Sequence, residues 1–94
     1  MFTDLRRYVS ETTVTLNGAA VSVTLPSVPA GTLVIEIAAS GGNVYYAING
    51  TASDSSAGFV SQGRVRTIPP LSNLKSLSVY GASGAHAHIL FYAL

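Results

Sequence analysis

Residues 33–48 read Leu-Val-Ile-Glu-Ile-Ala-Ala-Ser-Gly-Gly-Asn-Val-Tyr-Tyr-Ala-Ile, and this stretch decides the fold class. Leu33, Ile35 and Ile37 recur at every second position, which is the period of a β-strand. The Ser40–Asn43 segment interrupts the pattern with glycines that accept a positive φ, and a second strand follows from residue 44 to residue 48. The stretch therefore predicts two strands joined as a hairpin.

The same period of two continues on both sides of this stretch. Val14 and Leu16 precede an Asn17-Gly18 turn, and alternation resumes over Val21–Leu25, which predicts an earlier hairpin. Three further strand candidates follow the quoted stretch: Phe59–Ile68, Leu74–Tyr80 and Ala85–Ala93. Gly63 lies inside the first of these and indicates a bulge or a turn that splits it in two.

No segment of about ten residues shows the apolar spacing of an α-helix. An apolar sheet face must be covered by another layer, and here only a second sheet is available. We therefore expect an all-β fold of about seven strands, either a small antiparallel β-sandwich or a small barrel. The last strand has apolar groups on both faces, which is typical of a central or subunit-contacting strand.

The first eleven residues follow a different pattern. Phe2, Leu5 and Val9 recur at intervals of three and four, which suits a short helix or an arm. Because so short a helix is marginal alone, it must dock on its own sandwich or on a neighbour. We expect one domain over residues 1–94, with 1–11 as a docking arm or short helix. The charged start indicates a chain that is mature from Met1.

The composition narrows the function classes. Only 10% of the 94 residues are charged and the net charge is +1, against roughly 25% charged residues in an average domain. Five basic residues cannot form the broad positive field of a nucleic-acid-binding protein. No apolar run approaches the roughly 18 residues of a membrane span. A surface so poor in charge suits contact with other proteins.

No enzyme signature is present. The nucleophile elbow, the P-loop and the dinucleotide-binding glycine pattern are all missing, and the absence of Cys excludes a thiol nucleophile. The carboxylates of Asp4, Glu11, Glu36 and Asp54 show no spacing that implies a shared site. Glu36 is expected to face solvent or to pair with a basic residue: Arg64, Arg66 or Lys75. The sequence predicts a protein that is not an enzyme and needs no cofactor.

His86 and His88 are the weak metal-ligand candidates. Both rings lie on one face of a predicted strand, where they supply half of a zinc or iron site. The remaining ligands would have to come from Asp54, Glu36 or the histidines of other subunits of a trimer. Two surface histidines without a metal are the simpler interpretation, and no metal is predicted.

The interface candidates are arginines and tyrosines, which are favoured at protein contacts, together with apolar residues of the amino-terminal arm and the last strand. The predicted interface residues are Phe2, Leu5, Arg6, Arg7, Tyr8, Arg64, Arg66, Leu90 and Tyr92. A sugar-stacking platform is the alternative use of the aromatic residues, drawn from Tyr45, Tyr46, Tyr80 and Tyr92. Tyr45 and Tyr46 are neighbours on a strand, so they point to opposite faces and cannot join one platform.

Two segments carry a resemblance: Val44-Tyr45-Tyr46-Ala47-Ile48-Asn49-Gly50-Thr51 and His86-Ala87-His88-Ile89-Leu90-Phe91-Tyr92. In this setting of Ser, Thr, Gly and Ala the chain resembles the small structural virion proteins of tailed bacteriophages, notably capsid decoration (cement) proteins and head–tail or tail accessory proteins.

The resemblance implies a β-sandwich or jelly-roll-like subunit that is oligomeric, with a trimer favoured. The subunit would be located in the virion after assembly in the host cytoplasm. It would bind across joints between major capsid subunits or to another virion protein. Neither a nucleic acid nor a membrane is expected as a binding partner. The alternatives are a head–tail or tail accessory role and a carbohydrate- or receptor-binding module.

Overall fold

The computed structural model describes residues 6–94, which form eight strands and no helix. The strands are β1 (Arg7–Thr15), β2 (Val21–Val23), β3 (Leu33–Ser40), β4 (Val44–Ile48), β5 (Gly58–Val60), β6 (Val65–Ile68), β7 (Leu77–Tyr80) and β8 (His86–Ala93). The predicted strand Phe59–Ile68 is split, as expected, and Gly63 lies in the turn between its two parts with φ 81°. This split accounts for eight strands where about seven were predicted.

The strands form two four-stranded sheets that pack face to face. Sheet A has the order β1-β8-β3-β6 and sheet B has the order β2-β7-β4-β5. β1 pairs with β8, β2 with β7, β3 with β6 and β4 with β5, all antiparallel, so the second half of the chain retraces the first. The chain is thus one long antiparallel hairpin wound into a sandwich, which is the jelly-roll arrangement. The all-β sandwich prediction is confirmed.

Both predicted hairpins are wrong in their pairing. β1 and β2 belong to different sheets, and so do β3 and β4. Their glycine turns carry the chain from one sheet to the other, and both lie against the turn between β7 and β8. Gly18 N donates to Gly81 O at 2.8 Å, and Gly41 lies close to the Gly84 carbonyl oxygen. A glycine turn reverses the chain equally well within a sheet or between sheets, so its sequence does not select the partner strand.

The core lies between the two sheets and follows the predicted alternation. Its largest fully buried side chains are Leu16, Ile35, Ile37, Val44, Val60, Leu77, Val79, Ile89 and Phe91. β8 lies between β1 and β3, which confirms its predicted central position. The inward residues Ala87, Ile89 and Phe91 of β8 are buried, whereas the intervening outward ones are half-buried.

The predicted amino-terminal arm is only partly described. Residues 7–11 belong to β1 and pair with β8, so the short-helix interpretation is wrong for this part. The register shifts between Tyr8 and Ser10, where Val9 forms a bulge. Phe2 and Leu5 lie outside the described residues.

Candidate interaction surface

The outer face of sheet A, here called the A face, carries three of the predicted interface residues: Tyr8, Leu90 and Tyr92. The strand register places on it Tyr8, Glu11, Thr13 and Thr15 from β1; His86, His88, Leu90 and Tyr92 from β8; Val34, Glu36, Ala38 and Ser40 from β3; and Val65 and Thr67 from β6. Only Glu11 and Glu36 among these side chains are charged when the histidines are neutral. Tyr8 and Val65 are more than half exposed, at 56% and 61%.

Leu90 lies at the centre of the A face, with a carboxylate on either side. Glu11 of β1 and Glu36 of β3 are both directly opposite Leu90 in the register. The Tyr8 hydroxyl donates to Glu11 Oε1 at 2.8 Å, and an Arg6 guanidinium nitrogen lies 3.5 Å from Glu36 Oε2. Each carboxylate therefore has a polar partner on this face, and the apolar Leu90 side chain lies between them.

Arg6 and two tyrosines form a cluster beside Leu90. The guanidinium carbon of Arg6 lies 4.7 Å from the centre of the Tyr92 ring, within cation–π distance. Tyr8 and Tyr92 are in edge-to-face contact, with ring centres 6.2 Å apart. The structure thus brings together four of the predicted interface residues: Arg6, Tyr8, Leu90 and Tyr92.

The hydrogen bond between Tyr8 and Glu11 changes the acidity of the phenol. Removing the Tyr8 proton would place a phenolate beside a carboxylate and break the hydrogen bond. The bond to Glu11, followed by desolvation and charge repulsion, raises the pKa of Tyr8 above its ordinary value. Tyr8 is thus a hydrogen-bond donor to Glu11 on the A face, and the shift extends its neutral form to higher pH.

Glu36 has a different partner from the three that were expected. Its ion-pair partner is Arg6, whose side chain is 30% exposed, while that of Glu36 is 25% exposed. Arg66 is opposite Ile37 in the register and so lies on the other face of sheet A from Glu36. The expected position of Glu36 on the solvent side of the sheet is confirmed, whereas its ion-pair partner is Arg6 and not Arg64, Arg66 or Lys75.

The histidine pair lies on the A face among hydroxyl groups. The ring centres of His86 and His88 are 6.2 Å apart. His86 Nδ1 lies 3.3 Å from Thr15 Oγ1, and His88 contacts Thr13 Oγ1 through Nδ1 at 3.3 Å and Ser40 Oγ through Nε2 at 2.8 Å. Among residues 6–94, His, Asp and Glu form no group of three or more that could hold a metal ion. The imidazoles take part in a hydrogen-bond network with hydroxyls.

The other predicted interface arginines lie away from Leu90. Arg7 is exposed at the start of β1, opposite Ala93. Arg64 and Arg66 are exposed on the opposite edge of sheet A, immediately before and within β6. Arg6 and Arg7 thus lie at one edge of sheet A and Arg64 and Arg66 at the other, and the four arginines form no single basic patch.

The outer face of sheet B, here called the B face, carries a row of three aromatic rings. Tyr45 of β4 is flanked by Phe59 of β5 and Tyr80 of β7, with ring centres 5.1 and 6.3 Å away. Tyr46 points inward and is only 8% exposed, which confirms that it cannot share a platform with Tyr45. Phe59 was not among the predicted aromatic candidates. It precedes the buried Val60, and neighbouring strand residues point to opposite faces, so Phe59 points outward.

The segment between β4 and β5 lies beside this row. Most of it is exposed, but Ala52 is buried. The Ala52 amide donates to Ser78 Oγ at 3.0 Å, and Ser78 shares the B face with Tyr80 two residues along β7. The loop thus packs onto the B face and leaves the aromatic row beside it.

Across residues 6–94, no helix has the length and apolar character needed to cross a membrane. No protein-family model and no curated protein matches the sequence.

Proposed function

We propose that this chain is a structural subunit of a virus particle, a decoration protein that stabilises the capsid of a tailed bacteriophage by binding across joints between major capsid subunits. The observation that carries the proposal is the composition of the A face. Its centre is an apolar leucine flanked by two partnered carboxylates, next to an arginine and two tyrosines.

This composition suits binding to a protein surface. Interface centres are depleted in unpaired charge and enriched in Tyr and Arg, and truncation of such residues causes the largest losses of affinity. On the A face, Glu36 is already paired with Arg6, and Glu11 with Tyr8. A partner that covers Leu90 therefore meets carboxylates whose main hydrogen bonds are satisfied, which lowers the desolvation cost of binding.

The fold is consistent with this role. Jelly-roll sandwiches occur in viral capsids and also in lectins, so the architecture supports the proposal without choosing between these classes. The low content of charged residues, 10% of the chain, favours a surface that is covered by other subunits.

The direct test uses phage particles purified by density-gradient centrifugation from a lysate in which the chain is produced. The chain should sediment with the particles in a fixed ratio to the major capsid protein. Recombinant chain should rebind to particles produced without it and raise the temperature at which they release DNA. Particles that never contain or bind the chain would overturn the proposal.

Two charge substitutions identify the binding face. Leu90→Asp places a new charge at the centre of the A face and should weaken particle binding at least about tenfold. Phe59→Asp is the matched control, because Phe59 is a partly exposed apolar residue on the B face. It should leave particle binding unchanged. The reverse result would assign particle binding to the B face.

A second candidate function rests on the aromatic row of the B face. Tyr45, Phe59 and Tyr80 offer neutral ring surfaces on adjacent strands, and sugars stack on such surfaces through their apolar C–H faces. A carbohydrate- or receptor-binding module would use this row as its floor and the hydroxyl groups of Ser53 and Ser55 as hydrogen-bond partners.

A glycan array probed with the isolated protein separates the two candidates. Reproducible binding that Tyr45→Ala abolishes and Leu90→Asp preserves would favour the carbohydrate-binding module. Binding to assembled particles without any glycan signal would favour the decoration protein.

A further inference from the structure

We propose that Ser40 and His88 form a nucleophile and general-base pair on the A face, and that the chain hydrolyses small carboxylic esters through this pair. The inference goes beyond the proposed function and does not depend on it, because it concerns the purified chain alone. The sequence predicted no enzyme because the local motifs of hydrolases are missing. Ser40 and His88 are 48 residues apart, so the fold and not a local motif brings them together.

The Ser40 hydroxyl is in hydrogen-bond contact with the imidazole of His88. Ser40 ends β3 and His88 belongs to β8, and Ser40 Oγ lies 2.8 Å from His88 Nε2. This distance is within the range for a nucleophile that gives its proton to an adjacent base. Thr13 and Thr15 also contact the histidine rings, but at 3.3 Å and through Nδ1. Ser40 is therefore the hydroxyl that is placed to lose a proton to Nε2.

Thr13 of β1 contacts the other nitrogen of the His88 ring. Its Oγ1 lies 3.3 Å from Nδ1. In the tautomer that carries its proton on Nδ1, His88 donates to Thr13 and accepts from Ser40 through Nε2. A base whose orientation is fixed by a third side chain is the arrangement of a nucleophilic hydrolase. Because Thr13 is neutral, it stabilises the imidazolium less than a carboxylate would, and we expect slow hydrolysis.

The turn after Ser40 offers backbone donors for the oxyanion that forms during acyl transfer. Gly41 and Gly42 follow Ser40 directly. Within residues 6–94, no hydrogen bond to a backbone carbonyl uses their amides as donors. The N–H that follows a nucleophilic serine is one of the oxyanion donors of α/β-hydrolases, and such donors contribute much of the rate enhancement. We assign this role to the Gly41 amide.

The side chains around this pair favour a small neutral ester. Ala38 is opposite both His88 and Val65, so two apolar side chains lie beside the imidazole on the A face. Val65 is 61% exposed, which leaves room for a short acyl chain to lie on it. The charged A-face positions Glu11 and Glu36 are both carboxylates and disfavour an anionic acyl group.

The reaction balances with water as the second substrate. Ser40 Oγ attacks the carbonyl carbon of the ester while its proton moves to His88 Nε2. The tetrahedral intermediate expels the alcohol, which takes that proton, and the acyl group stays on Ser40. Water then attacks the acyl group, gives a proton to His88, and the Ser40 oxygen leaves and recovers it. The products are a carboxylic acid and an alcohol.

A fluorophosphonate probe and p-nitrophenyl acetate test the pair on the purified chain. Peptide mass spectrometry should find the fluorophosphonate, and the acetyl group from the ester, on Ser40. His88→Gln should slow the labelling about a hundredfold, the lower end of the range for general-base catalysis. His86→Gln is the matched control, because His86 lies on the same face and contacts Thr15 instead of a serine. It should leave the labelling rate unchanged.

Two substitutions of Thr13 separate its orienting role from a structural one. Thr13→Val removes the hydroxyl at nearly constant shape and should slow the labelling of Ser40 about tenfold, since a misplaced base loses rate. Thr13→Ser keeps the hydroxyl and should recover most of the rate. Far-UV circular dichroism checks that each variant is folded.

Three results would overturn the proposal: a wild-type chain that is never labelled at Ser40, equal labelling of wild type and His88→Gln, and equal losses in His86→Gln and His88→Gln. The outcome is separable from that on particles. Particle binding by a chain that is never labelled would count against the hydrolase alone, and labelling of a chain that never binds particles would count against the decoration role alone.

Discussion

The guanidinium carbon of Arg6 lies 4.7 Å from the centre of the Tyr92 ring, while a nitrogen of the same guanidinium lies 3.5 Å from Glu36 Oε2. Arg6 precedes β1, Tyr92 belongs to β8 and Glu36 belongs to β3, so one side chain connects three strands of sheet A. Its contacts are half-exposed and each is worth little alone, but all of them hold the same end of the sheet.

We predict that Arg6→Met lowers the free energy of unfolding by about 1 kcal/mol, since cation–π contacts and surface ion pairs each contribute up to about that amount. Arg7→Met is the matched control, because Arg7 is the neighbouring arginine and is exposed. It should change stability by less than about 0.5 kcal/mol. Urea unfolding monitored by circular dichroism measures both, and equal effects would show that Arg6 adds nothing beyond its charge.

The hydrogen bond between Tyr8 and Glu11 leads to a prediction about stability and tyrosine titration at alkaline pH. Tyr8 has a raised pKa in the folded chain, so its contribution to stability is complete below the pKa of the unfolded phenol, about 10. That contribution is lost as the pH rises through the higher folded value. In a titration followed by phenolate absorbance, Tyr8→Phe should remove a late-titrating tyrosine.

Glu11→Gln tests the cause of that shift. It removes the negative charge that opposes phenolate formation and weakens the acceptor of the hydrogen bond. The Tyr8 titration should therefore move to lower pH. Superimposable titration curves for Glu11→Gln and the wild type would contradict the assigned cause.

Residue 58 must be a glycine because its backbone lies too close to Tyr46 to leave room for a side chain. A Cβ at Gly58 would lie 2.5 Å from the Tyr46 carbonyl oxygen and 2.7 Å from the edge of its ring. We predict that Gly58→Ala destabilises the fold by about 2 kcal/mol, the scale of an overpacked core. Gly50→Ala is the control, because the nearest atom to its added Cβ is 3.9 Å away, and it should be nearly neutral. Thermal unfolding of the two variants side by side measures the difference.

Asn49 joins β4 to the segment that leads into β7. Its Oδ1 accepts from the amides of Lys75 and Ser76 at 2.6 and 3.0 Å, and its Nδ2 donates to the Asn73 carbonyl at 2.8 Å. Asn49 also has a φ of 58°, which Asn tolerates better than most residues. Asn49→Ala should cost about 2 kcal/mol.

The control for Asn49 is Asn73→Ala, because Asn73 accepts this hydrogen bond through its backbone, which the substitution retains. Denaturant unfolding should show almost no change for Asn73→Ala. If the two variants were equally unstable, the side-chain hydrogen bonds of Asn49 would not be the source of the effect.

Alternation in the sequence predicted which residues face inward but not which strands pair. Ile35, Ile37 and Ile89 follow a period of two that depends only on the local backbone, and so does the opposite orientation of Tyr45 and Tyr46. Pairing depends on where each turn leads, and the glycine turns after β1 and β3 cross between sheets instead of closing hairpins.

The contacts of the candidate surface were less predictable for the same reason. Arg6 reaches Glu36 because β8 separates β1 from β3 by a single strand, an order that no local pattern encodes. The aromatic row required Tyr45, Phe59 and Tyr80 to come from three adjacent strands of sheet B. Side-chain types therefore indicated which residues suit an interface, and the winding of the chain decided which of them meet.

The position of β8 also determines when this protein can fold. β8 is the last of the eight strands to leave the ribosome, yet it lies between β1 and β3. Until it is released, β1 has no partner in its own sheet, whereas all four strands of sheet B have already been made. Bringing β1 to β8 closes a loop of most of the chain, and such long-range pairing places folding in milliseconds to seconds. Sheet A is therefore completed only after β8 has been made, and a chain that ends before β8 leaves Ile35 and Ile37 paired with β6 alone.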